Sequence, residues 1–352
     1  MEKIKVGVIG TGGIGEYAHI KELKKCGSAE VLAVCDIDEA RVKEIAERYS
    51  IPYRYTDYRD LLSRDDIDAV VISTPNISHY EIGIEAIKAK KHILCEKPLA
   101  MNVKEAKEMY EKAEETGIKH MVAFSYRFCP SAKFAKSLID SNYIGKIFHI
   151  SAEYNQSWLV DPNTPLVWRL IKAQSGSGVL GDLGSHIIDL IRWMTGLEFE
   201  SVLGDLQTFV KRRKKLDSEE YGDVDVDDYS AFLAYLDNET RASVITSRYA
   251  TGYKNYQRIE IYGDKGSLIY EFDRPYELSV CLGEPLVKLR EFVTIPVPES
   301  YQSIHGSEEQ AKTFIESILY NRPCPTFYDG LKAQEVIDAV ILSIERGCWI
   351  KI

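Results

Sequence analysis

The sequence lacks the features that mark several classes of protein. The 352-residue chain contains no apolar run of about 18 residues, so no membrane-spanning helix is expected. Acidic residues outnumber basic ones, and a formal net charge of −10 argues against a nucleic-acid partner. Internal repeats and low-complexity segments are also missing. We therefore expect a soluble globular protein that binds a small molecule, not a membrane or a nucleic acid.

Cysteine pairs with metal-binding or redox spacing are missing too. The seven cysteines are scattered, and no two of them form a CxxC motif. The first predicted strand begins at Ile4, which leaves no room for a signal or transit peptide. Without an export signal, such cysteines are most simply reduced thiols. The sequence thus predicts a cytoplasmic protein and offers no zinc motif.

The one basic cluster, residues 211–215, is followed at once by an acidic stretch over residues 217–228. Adjacent runs of opposite charge are typical of a solvated loop rather than a binding patch. We predict an exposed loop here.

A glycine-rich turn near the N-terminus carries the strongest motif. An apolar stretch over residues 4–9 breaks into Gly10, Gly12, Gly13, Ile14 and Gly15, and a helical pattern follows. The first glycine permits a tight turn, the second lets a pyrophosphate approach the backbone, and the last allows close helix packing. Free N–H groups at the helix start suit phosphate. These five residues are predicted to bind a dinucleotide; the alternative is a turn that merely connects strand and helix.

Asp36 ends the second predicted strand, about 20 residues after the turn. A carboxylate at this place accepts hydrogen bonds from ribose hydroxyls and repels the additional phosphate of NADP. No arginine follows immediately to bind that phosphate. Asp36 therefore favours NAD, although it could instead only cap the helix that begins at Asp38.

The first third of the chain alternates short apolar strands with amphipathic helices. This alternation is typical of an α/β fold, a doubly wound parallel Rossmann sheet whose ligands bind at the carboxyl ends of the strands. We predict strands near residues 4–9, 30–35, 53–55, 68–73, 91–95 and 119–123, and helices near 14–25, 38–49, 57–63, 78–89 and 102–116.

Two predicted strand ends carry further candidates. Thr74, Pro75 and Asn76 follow the fourth strand and would line the cofactor cleft, or Asn76 could simply cap the next helix. Glu96 and Lys97 follow the fifth strand, where nicotinamide and substrate should meet, although by composition alone Lys97 could be an ordinary surface lysine.

The pattern changes after Ser125 to a series of strands with few helices. We predict an α+β domain with a largely antiparallel open sheet over residues 125–352, after an NAD-binding domain over 1–124. The predicted strands lie near 146–154, 199–212, 226–237, 241–250, 257–263, 267–272 and 276–281, and the helices near 131–141, 182–195, 306–320 and 329–346.

Three polar residues share one face of the helix predicted over 182–195. Asp182 and His186 are spaced i,i+4, and Asp189 follows at i+7. A histidine beside a carboxylate suits a general base, because the carboxylate orients the imidazole and stabilises its charged form. Two alternatives remain: Asp182 is only the helix N-cap, or the three residues ligate a metal, although no further histidine cluster supports a metal site.

Together these motifs resemble those of the Gfo/Idh/MocA family, the relatives of glucose–fructose oxidoreductase and inositol dehydrogenase. The resemblance covers essentially the whole chain and rests on the turn at 10–15 with His19, on Asp36, and on the segments 74–76, 96–98, 126–127, 168–169 and 181–186.

The resemblance implies an NAD-dependent enzyme whose open sheet forms homodimers or homotetramers. It implies that Lys97, Asp182 and His186 are catalytic. His186 would take the hydroxyl proton as hydride leaves the same carbon, and Lys97 would position the hydroxyl and stabilise negative charge on its oxygen. The expected substrate-binding residues are Arg127, Trp158, Trp168, Arg169, Asp182 and His186. Each tryptophan could equally be core filler.

The function expected from the sequence is oxidation of a secondary hydroxyl of a cyclic polyol or sugar, inositol-like or pyranose, to a ketone. One alternative is an NAD-dependent glycosidase that oxidises a hydroxyl only transiently. Another is a dinucleotide-binding regulator without turnover, against which the joint presence of Lys97, Asp182 and His186 argues. Other oxidoreductases, including reductases that work in the opposite direction, complete the alternatives.

Overall fold

The computed structural model describes residues 3–216, 218–302 and 306–352. The chain forms two compact units, Met1–Ser125 with Gly306–Lys332 and Tyr126–His305 with Ala333–Ile352. Within the described ranges, no helix combines the length and apolar character that crossing a membrane requires.

The first unit is built on a six-stranded parallel sheet with the order β3-β2-β1-β4-β5-β6. Its inner strands β1 and β4 are mostly buried, which explains their apolar sequences, whereas the edge strand β3 is largely exposed. The order reverses between β1 and β4, and the crevice at that point is where such sheets bind ligands. The predicted doubly wound sheet is confirmed. Its strands are β1 (Ile4–Ile9), β2 (Ala29–Cys35), β3 (Tyr53–Tyr55), β4 (Ala69–Ile72), β5 (His92–Cys95) and β6 (His120–Val122).

The helices between these strands match the predicted ones closely. A π-helical segment, Gly15–Ile20, precedes the first α-helix. The helices are α1 (Lys21–Lys25), α2 (Glu39–Tyr49), α3 (Tyr58–Leu62), α4 (His79–Lys88) and α5 (Val103–Thr116).

The second unit contains a nine-stranded sheet with the order β16-β15-β14-β13-β7-β12-β11-β8-β17. All neighbours are antiparallel except β7 and β12, so the predicted largely antiparallel sheet is confirmed. The strands of this unit, including a separate β9–β10 pair, are β7 (Ile147–Asn155), β8 (Phe199–Gln207), β9 (Arg212–Lys214), β10 (Tyr221–Asp223), β11 (Tyr229–Leu236), β12 (Arg241–Ser247), β13 (Tyr256–Gly263), β14 (Gly266–Glu271), β15 (Glu277–Leu282), β16 (Val293–Pro296) and β17 (Ile350–Lys351).

Burial alternates along the strands of this sheet. In β11, Phe232, Ala234 and Leu236 are buried, whereas Leu233 and Tyr235 are exposed. One face of the sheet is therefore covered and the other is open. The helices of this unit are α6 (Pro130–Asp140), α7 (Lys172–Ser175), α8 (Ser185–Thr195), α9 (Gly283–Leu289) and, from Ala333 on, the helix Phe327–Arg346.

The segment predicted as a solvated loop is partly structured and partly buried. Residues of β9 and β10 pair antiparallel, and Arg213 in β9 is only 2% exposed. The loop prediction is wrong at Arg213, because backbone carbonyls surround its guanidinium and satisfy it without water. Asp217, which begins the acidic stretch, lies outside the described residues.

Helix α10 (Gly306–Tyr320) and the start of α11 (Phe327–Arg346) group with the first unit, whereas we had assigned all of 125–352 to the second domain. The backbone N–H of Val122, on the edge strand β6, donates to the carbonyl of Pro325 at 2.8 Å. The Phe327 ring packs on His120 with centroids 4.8 Å apart. The returning chain thus covers the sheet edge, an interaction that no local pattern predicts.

The start of the helix that carries the catalytic candidates is fixed by a buried carboxylate. Both oxygens of Asp227 accept backbone N–H groups, from Gly178 and from Leu180, each at 2.7 Å. A π-helical segment, Leu180–Gly184, begins there and continues into α8. Burial raises the pKa of Asp227, while these hydrogen bonds act in the opposite direction.

Replacing Asp227 should destabilise the second unit. Asp227→Ala would leave two buried N–H groups without an acceptor, and we expect a loss of about 2–4 kcal/mol. Chemical denaturation would measure it. The control is Asp223→Ala, an exposed residue of β10, which should change stability by less than about 0.5 kcal/mol. Equal losses for the two variants would contradict the role of Asp227 as the anchor of this helix.

Candidate active site

The glycine-rich turn has the shape that a pyrophosphate requires. Gly10 has φ +93°, and a Cβ there would lie 2.5 Å from the Ser73 carbonyl oxygen. A Cβ on Gly15 would lie 2.0 Å from the Gly10 carbonyl oxygen, so close packing of the turn forbids a side chain. By contrast, a Cβ on Gly12 or Gly13 would meet no atom within 4 Å. The turn is therefore closed towards the protein and open on the side where phosphate would approach.

Asp36 lies against this turn rather than on the next helix. Its Oδ2 accepts the Thr11 backbone N–H at 2.7 Å and the Thr11 hydroxyl at 2.8 Å. The N-cap of α2 is Asp38, which accepts the Arg41 backbone N–H. The alternative that Asp36 only caps α2 is thus wrong, and contact of its carboxylate with an adenosine ribose stays a prediction.

The same turn holds an arginine that the sequence analysis did not consider. Arg41 Nε donates to the Thr11 carbonyl at 2.7 Å, and Nη2 lies 3.4 Å from Glu16 Oε2. Its guanidinium is therefore bonded to the residue that also binds Asp36. The arginine lies five positions beyond Asp36 in the sequence, and a helical turn of α2 brings it back.

A buried histidine links the two turns that follow β4 and β5. His79, fully buried, has Nδ1 2.9 Å from the Pro98 carbonyl and Nε2 3.0 Å from the Thr74 carbonyl. Burial lowers its pKa, while these carbonyls and Glu96 act to raise it. A histidine at a predicted helix start is usually a surface or capping residue, so the pattern around His79 does not indicate this buried role. The structure makes it the connection between the predicted cofactor turn at Thr74 and the Lys97–Pro98 turn.

Glu96 has a buried partner of its own. His19 Nε2 lies 2.8 Å from Glu96 Oε1, and His19 is 1% exposed. Burial acts to raise the pKa of Glu96, but the hydrogen bond with His19 and the nearby Lys97 ammonium outweigh it and hold that pKa below its usual value. The turn that carries Lys97 is thus held from one side by His19 and from the other by His79.

In the second unit, Asp182 lies inside a helical segment and not at its N-cap. The π-helical turn begins at Leu180, two residues earlier. Asp182 Oδ2 accepts a hydrogen bond from Arg248 Nη2 at 2.9 Å. The N-cap alternative is therefore wrong. Asp182 is instead ion-paired, one turn before His186 at the start of α8, where the wider π turn changes the ideal i,i+4 geometry.

His186 is buried against two tyrosines. The Tyr126 ring lies edge-on with its centroid 4.6 Å from that of His186, and Tyr154 lies at 6.3 Å. The two tyrosine hydroxyls are 2.6 Å apart, and Asn255 Oδ1 accepts from Tyr154 at 2.6 Å and from Gln156 Nε2 at 2.8 Å. The sequence analysis missed Tyr154, Gln156 and Asn255, because strand pairing brings together residues about 100 positions apart.

Arg127 and Asp189 form a buried bidentate ion pair, with Nε–Oδ2 at 2.8 Å and Nη2–Oδ1 at 2.5 Å. This ion pair gives each of the two buried charges an oppositely charged partner, which is a structural role for both residues. It makes Asp189 a poor candidate for a metal ligand. In the described ranges no three histidine, cysteine or acidic side chains are grouped as a metal site needs. A substrate contact of Arg127 stays a prediction.

The segment with the two tryptophans is held by Arg213. Its guanidinium donates to the carbonyls of Leu159, Asp161 and Thr164 at 2.6–3.0 Å, and to the Tyr249 hydroxyl at 2.6 Å. The buried arginine therefore fixes the backbone next to Trp158.

Both tryptophans in this segment are half-buried. Trp158 packs on a small apolar cluster that includes Leu159 and Leu170. The Arg169 guanidinium lies 4.3 Å from the centre of the Trp168 ring. Packing explains part of each ring surface, and contact with a substrate stays a prediction for Trp158, Trp168 and Arg169.

The doubly wound sheet, its glycine turn and the Asp36 carboxylate define a dinucleotide-binding protein. A family model for an oxidoreductase family with an NAD-binding Rossmann fold, GFO_IDH_MocA, matches residues 4–124. The model of the GFO/IDH/MocA C-terminal domain matches residues 133–269. The chain belongs to the Gfo/Idh/MocA oxidoreductase family. It is an NAD-dependent oxidoreductase, as the motifs predicted.

Its relatives include enzymes of sugars and polyols. Levoglucosan dehydrogenase of Pseudarthrobacter phenanthrenivorans is 32% identical, over 100% of this chain and 99% of its own. Myo-inositol 2-dehydrogenase of Thermotoga maritima is 29% identical, over 91% of this chain and 90% of its own. A solved levoglucosan dehydrogenase in complex with NADH and levoglucosan is 33% identical, covers all of both chains and superposes with a TM-score of 0.93.

Two glycines of the turn should respond differently to alanine. Gly12→Ala places a methyl group in the open space and should weaken NADH binding at least about tenfold, or about 1.4 kcal/mol, without changing stability. Gly15→Ala collides with the Gly10 carbonyl and should lower stability by about 1–3 kcal/mol. Fluorescence titration with NADH and thermal unfolding would separate the two effects. If Gly12→Ala binds NADH with unchanged affinity, the pyrophosphate does not bind at this turn.

Asp36→Ala should weaken NAD binding and reduce discrimination against NADP. The variant loses the carboxylate that accepts from ribose and keeps Arg41 in the same turn, where a guanidinium suits the additional phosphate. Dissociation constants for both cofactors would measure the change, with the exposed Asp60→Ala on α3 as control. A cofactor preference that does not move would overturn this assignment of Asp36.

Proposed function

We propose that this chain is an NAD-dependent dehydrogenase that oxidises one secondary hydroxyl of a cyclic polyol or sugar, inositol-like or pyranose, to a ketone. The observation that carries the proposal is the pairing of Asp182 with a buried arginine one turn before His186. In such an arrangement the Asp182 carboxylate can accept a hydrogen bond from the substrate, and His186, one helical turn later, can act as the base. Relatives that act on levoglucosan and on myo-inositol support the choice of substrate class.

The proposed roles follow from the chemistry of each group. Bound NAD supplies the hydride acceptor. His186 takes the hydroxyl proton, since an imidazole accepts a proton near neutral pH. Asp182 accepts a hydrogen bond from the substrate and stabilises the charge that develops on His186. Lys97 positions the hydroxyl and stabilises negative charge on its oxygen.

The environment of His186 supports a role as a base. Tyr126 and Tyr154 pack on its ring and restrict its rotation. Burial raises the pKa of Tyr154 far above its usual value, so its hydroxyl is neutral at working pH. The histidine thus has oriented, uncharged neighbours on this side, so its ring is held in position to take the proton from one substrate hydroxyl.

We propose an uncharged substrate rather than a sugar phosphate. Arg127, an obvious candidate for a phosphate, is neutralised by Asp189 in a buried bidentate pair. The net charge of −10 makes no general provision for an anionic ligand. The half-buried rings of Trp158 and Trp168 suit the C–H face of a sugar ring.

We also propose that the protein is a cytoplasmic homodimer or homotetramer. Leu233, Tyr235 and Ile245 are exposed on the open face of the nine-stranded sheet. Trp349 stacks on Tyr235 with ring centroids 4.4 Å apart, which extends this apolar surface. A second copy packed on the face would remove these side chains from water.

The proposal is tested by NADH formation across a panel of inositols, pyranoses, anhydrosugars and glycosides. We expect turnover on a free cyclic polyol or sugar, and its loss in Lys97→Ala with NADH binding retained. The matched control is Lys104→Ala, an exposed lysine on α5, which should keep full activity.

Two results would overturn the proposal. Cleavage of a glycoside without net NADH accumulation would identify a glycosidase that oxidises transiently. Tight NADH binding with no turnover on any compound would favour a dinucleotide-binding regulator.

A further inference from the structure

Arg248 directly follows strand β12 and is completely buried, with 0% exposure. Its backbone N–H donates to the Asp228 carbonyl at 3.0 Å, which fixes the start of the side chain. Its Nη2 donates to Asp182 Oδ2 at 2.9 Å. The Trp158 ring lies 5.5 Å from its Cζ. The guanidinium is therefore held beside two residues of the predicted substrate site.

The remaining donors of this guanidinium distinguish it from a structural arginine. Arg248 Nε and Nη1 are buried and have no acceptor among the described residues. Arg213, which is also buried in this unit, donates to three carbonyls and a hydroxyl. Burying a guanidinium with unused donors is unfavourable. An arginine kept only for stability would be satisfied as Arg213 is, so Arg248 has a different purpose.

We propose that Arg248 is a positioning residue that holds the Asp182 carboxylate ionised and oriented towards the substrate. The inference rests on the proposed function and names one more residue in the same site. Asp182 is partly exposed, with 20% of its side chain accessible, while Arg248 is buried behind it. One carboxylate oxygen is bound by Arg248, and the ion pair sets the direction of the other.

The other charged and titratable groups around this pair come from three parts of the unit. Asp227 and Asp228 precede β11, Tyr154 lies on β7, and His186 lies on α8. Burial raises the pKa of Asp227 and of Asp228, and Arg248 acts to lower both. Both Asp227 oxygens and Asp228 Oδ2 accept backbone N–H groups, so Asp182 is the carboxylate to which the guanidinium donates.

Removing the guanidinium should raise the pKa of Asp182, because an opposite charge within hydrogen-bond distance favours the ionised form by about one to three units. Loss of that charge brings protonation of Asp182 closer to working pH. His186, the proposed base, sets the acidic limb of the kcat/KM profile, and loss of the nearby positive charge also favours its protonated form. This limb should therefore move to higher pH. A purely structural arginine would lower stability without moving this limb.

The experiment compares pH profiles of kcat/KM for Arg248→Met and Arg248→Lys on the compound that the panel identifies. We expect the acidic limb to move up by about one unit or more in Arg248→Met and by less in Arg248→Lys, which retains the charge. Arg192→Met is the control, because Arg192 is buried on α8 and pairs with Glu198 instead. An acidic limb that stays in place in Arg248→Met would overturn the proposal.

A double-mutant cycle tests whether Arg248 acts through Asp182. In the wild type, Arg248→Met should lower kcat/KM at least about tenfold, whereas in the Asp182→Asn background it should lower it less than about threefold. Equal losses in both backgrounds would show that Arg248 acts independently of Asp182. NADH affinity should remain within about twofold in both variants, since the dinucleotide turn lies in the other unit.

Failure of the proposed function gives a different result from failure of this inference. If the wild type oxidises no compound of the panel, the proposed substrate class is wrong, and the cycle is measured by thermal unfolding instead. Non-additive Tm changes for Asp182→Asn and Arg248→Met, with additive changes for Asp182→Asn and Arg192→Met, would still support the pair. Additive changes for Asp182 and Arg248 would overturn it. Should Arg248→Met not fold, Arg248→Lys replaces it in each cycle.

Discussion

Buried polar groups must find partners, and this requirement places the helix that carries Asp182 and His186. Two oxygens of Asp227 receive the backbone N–H groups at the start of the helical segment, and Arg248 binds Asp182 one turn later. Each contact comes from the sheet side of the second unit. The positions of both catalytic candidates therefore depend on these polar contacts with the sheet side of the unit, in addition to the apolar packing of α8.

The first unit holds its candidate residues in a related way. His19 binds Glu96, and His79 contacts the carbonyls of Thr74 and Pro98. Two buried imidazoles thus connect the π-helical segment, the turn after β4 and the turn after β5. Such cross-links hold the loops at the ends of these parallel strands in place, as the proposed role of Lys97 requires.

Three buried arginines in the second unit illustrate how context decides the role of one residue type. Arg127 is neutralised by Asp189, Arg213 is saturated by backbone carbonyls, and Arg248 has a single hydrogen bond to a side chain of the proposed site. All three are equally polar in the sequence. The charge pattern predicts that Arg213 lies in a solvated loop. The carbonyls that bury its guanidinium are about 50 residues away in the sequence, so the neighbouring residues do not indicate this burial.

The parallel sheet, the glycine turn, Asp36 and the boundaries of most long elements could be predicted from the residues, because they depend on local periodicity and backbone conformation. The same patterns placed Asp182 and His186 near the start of one helix. Their partners follow from the folded chain alone: Arg248 for Asp182, Tyr126 and Tyr154 for His186, and Pro325 for the edge of the first sheet. Such contacts join segments up to about 200 residues apart, and the hydrogen-bonding needs of buried groups, which select them, arise only when the chain is folded.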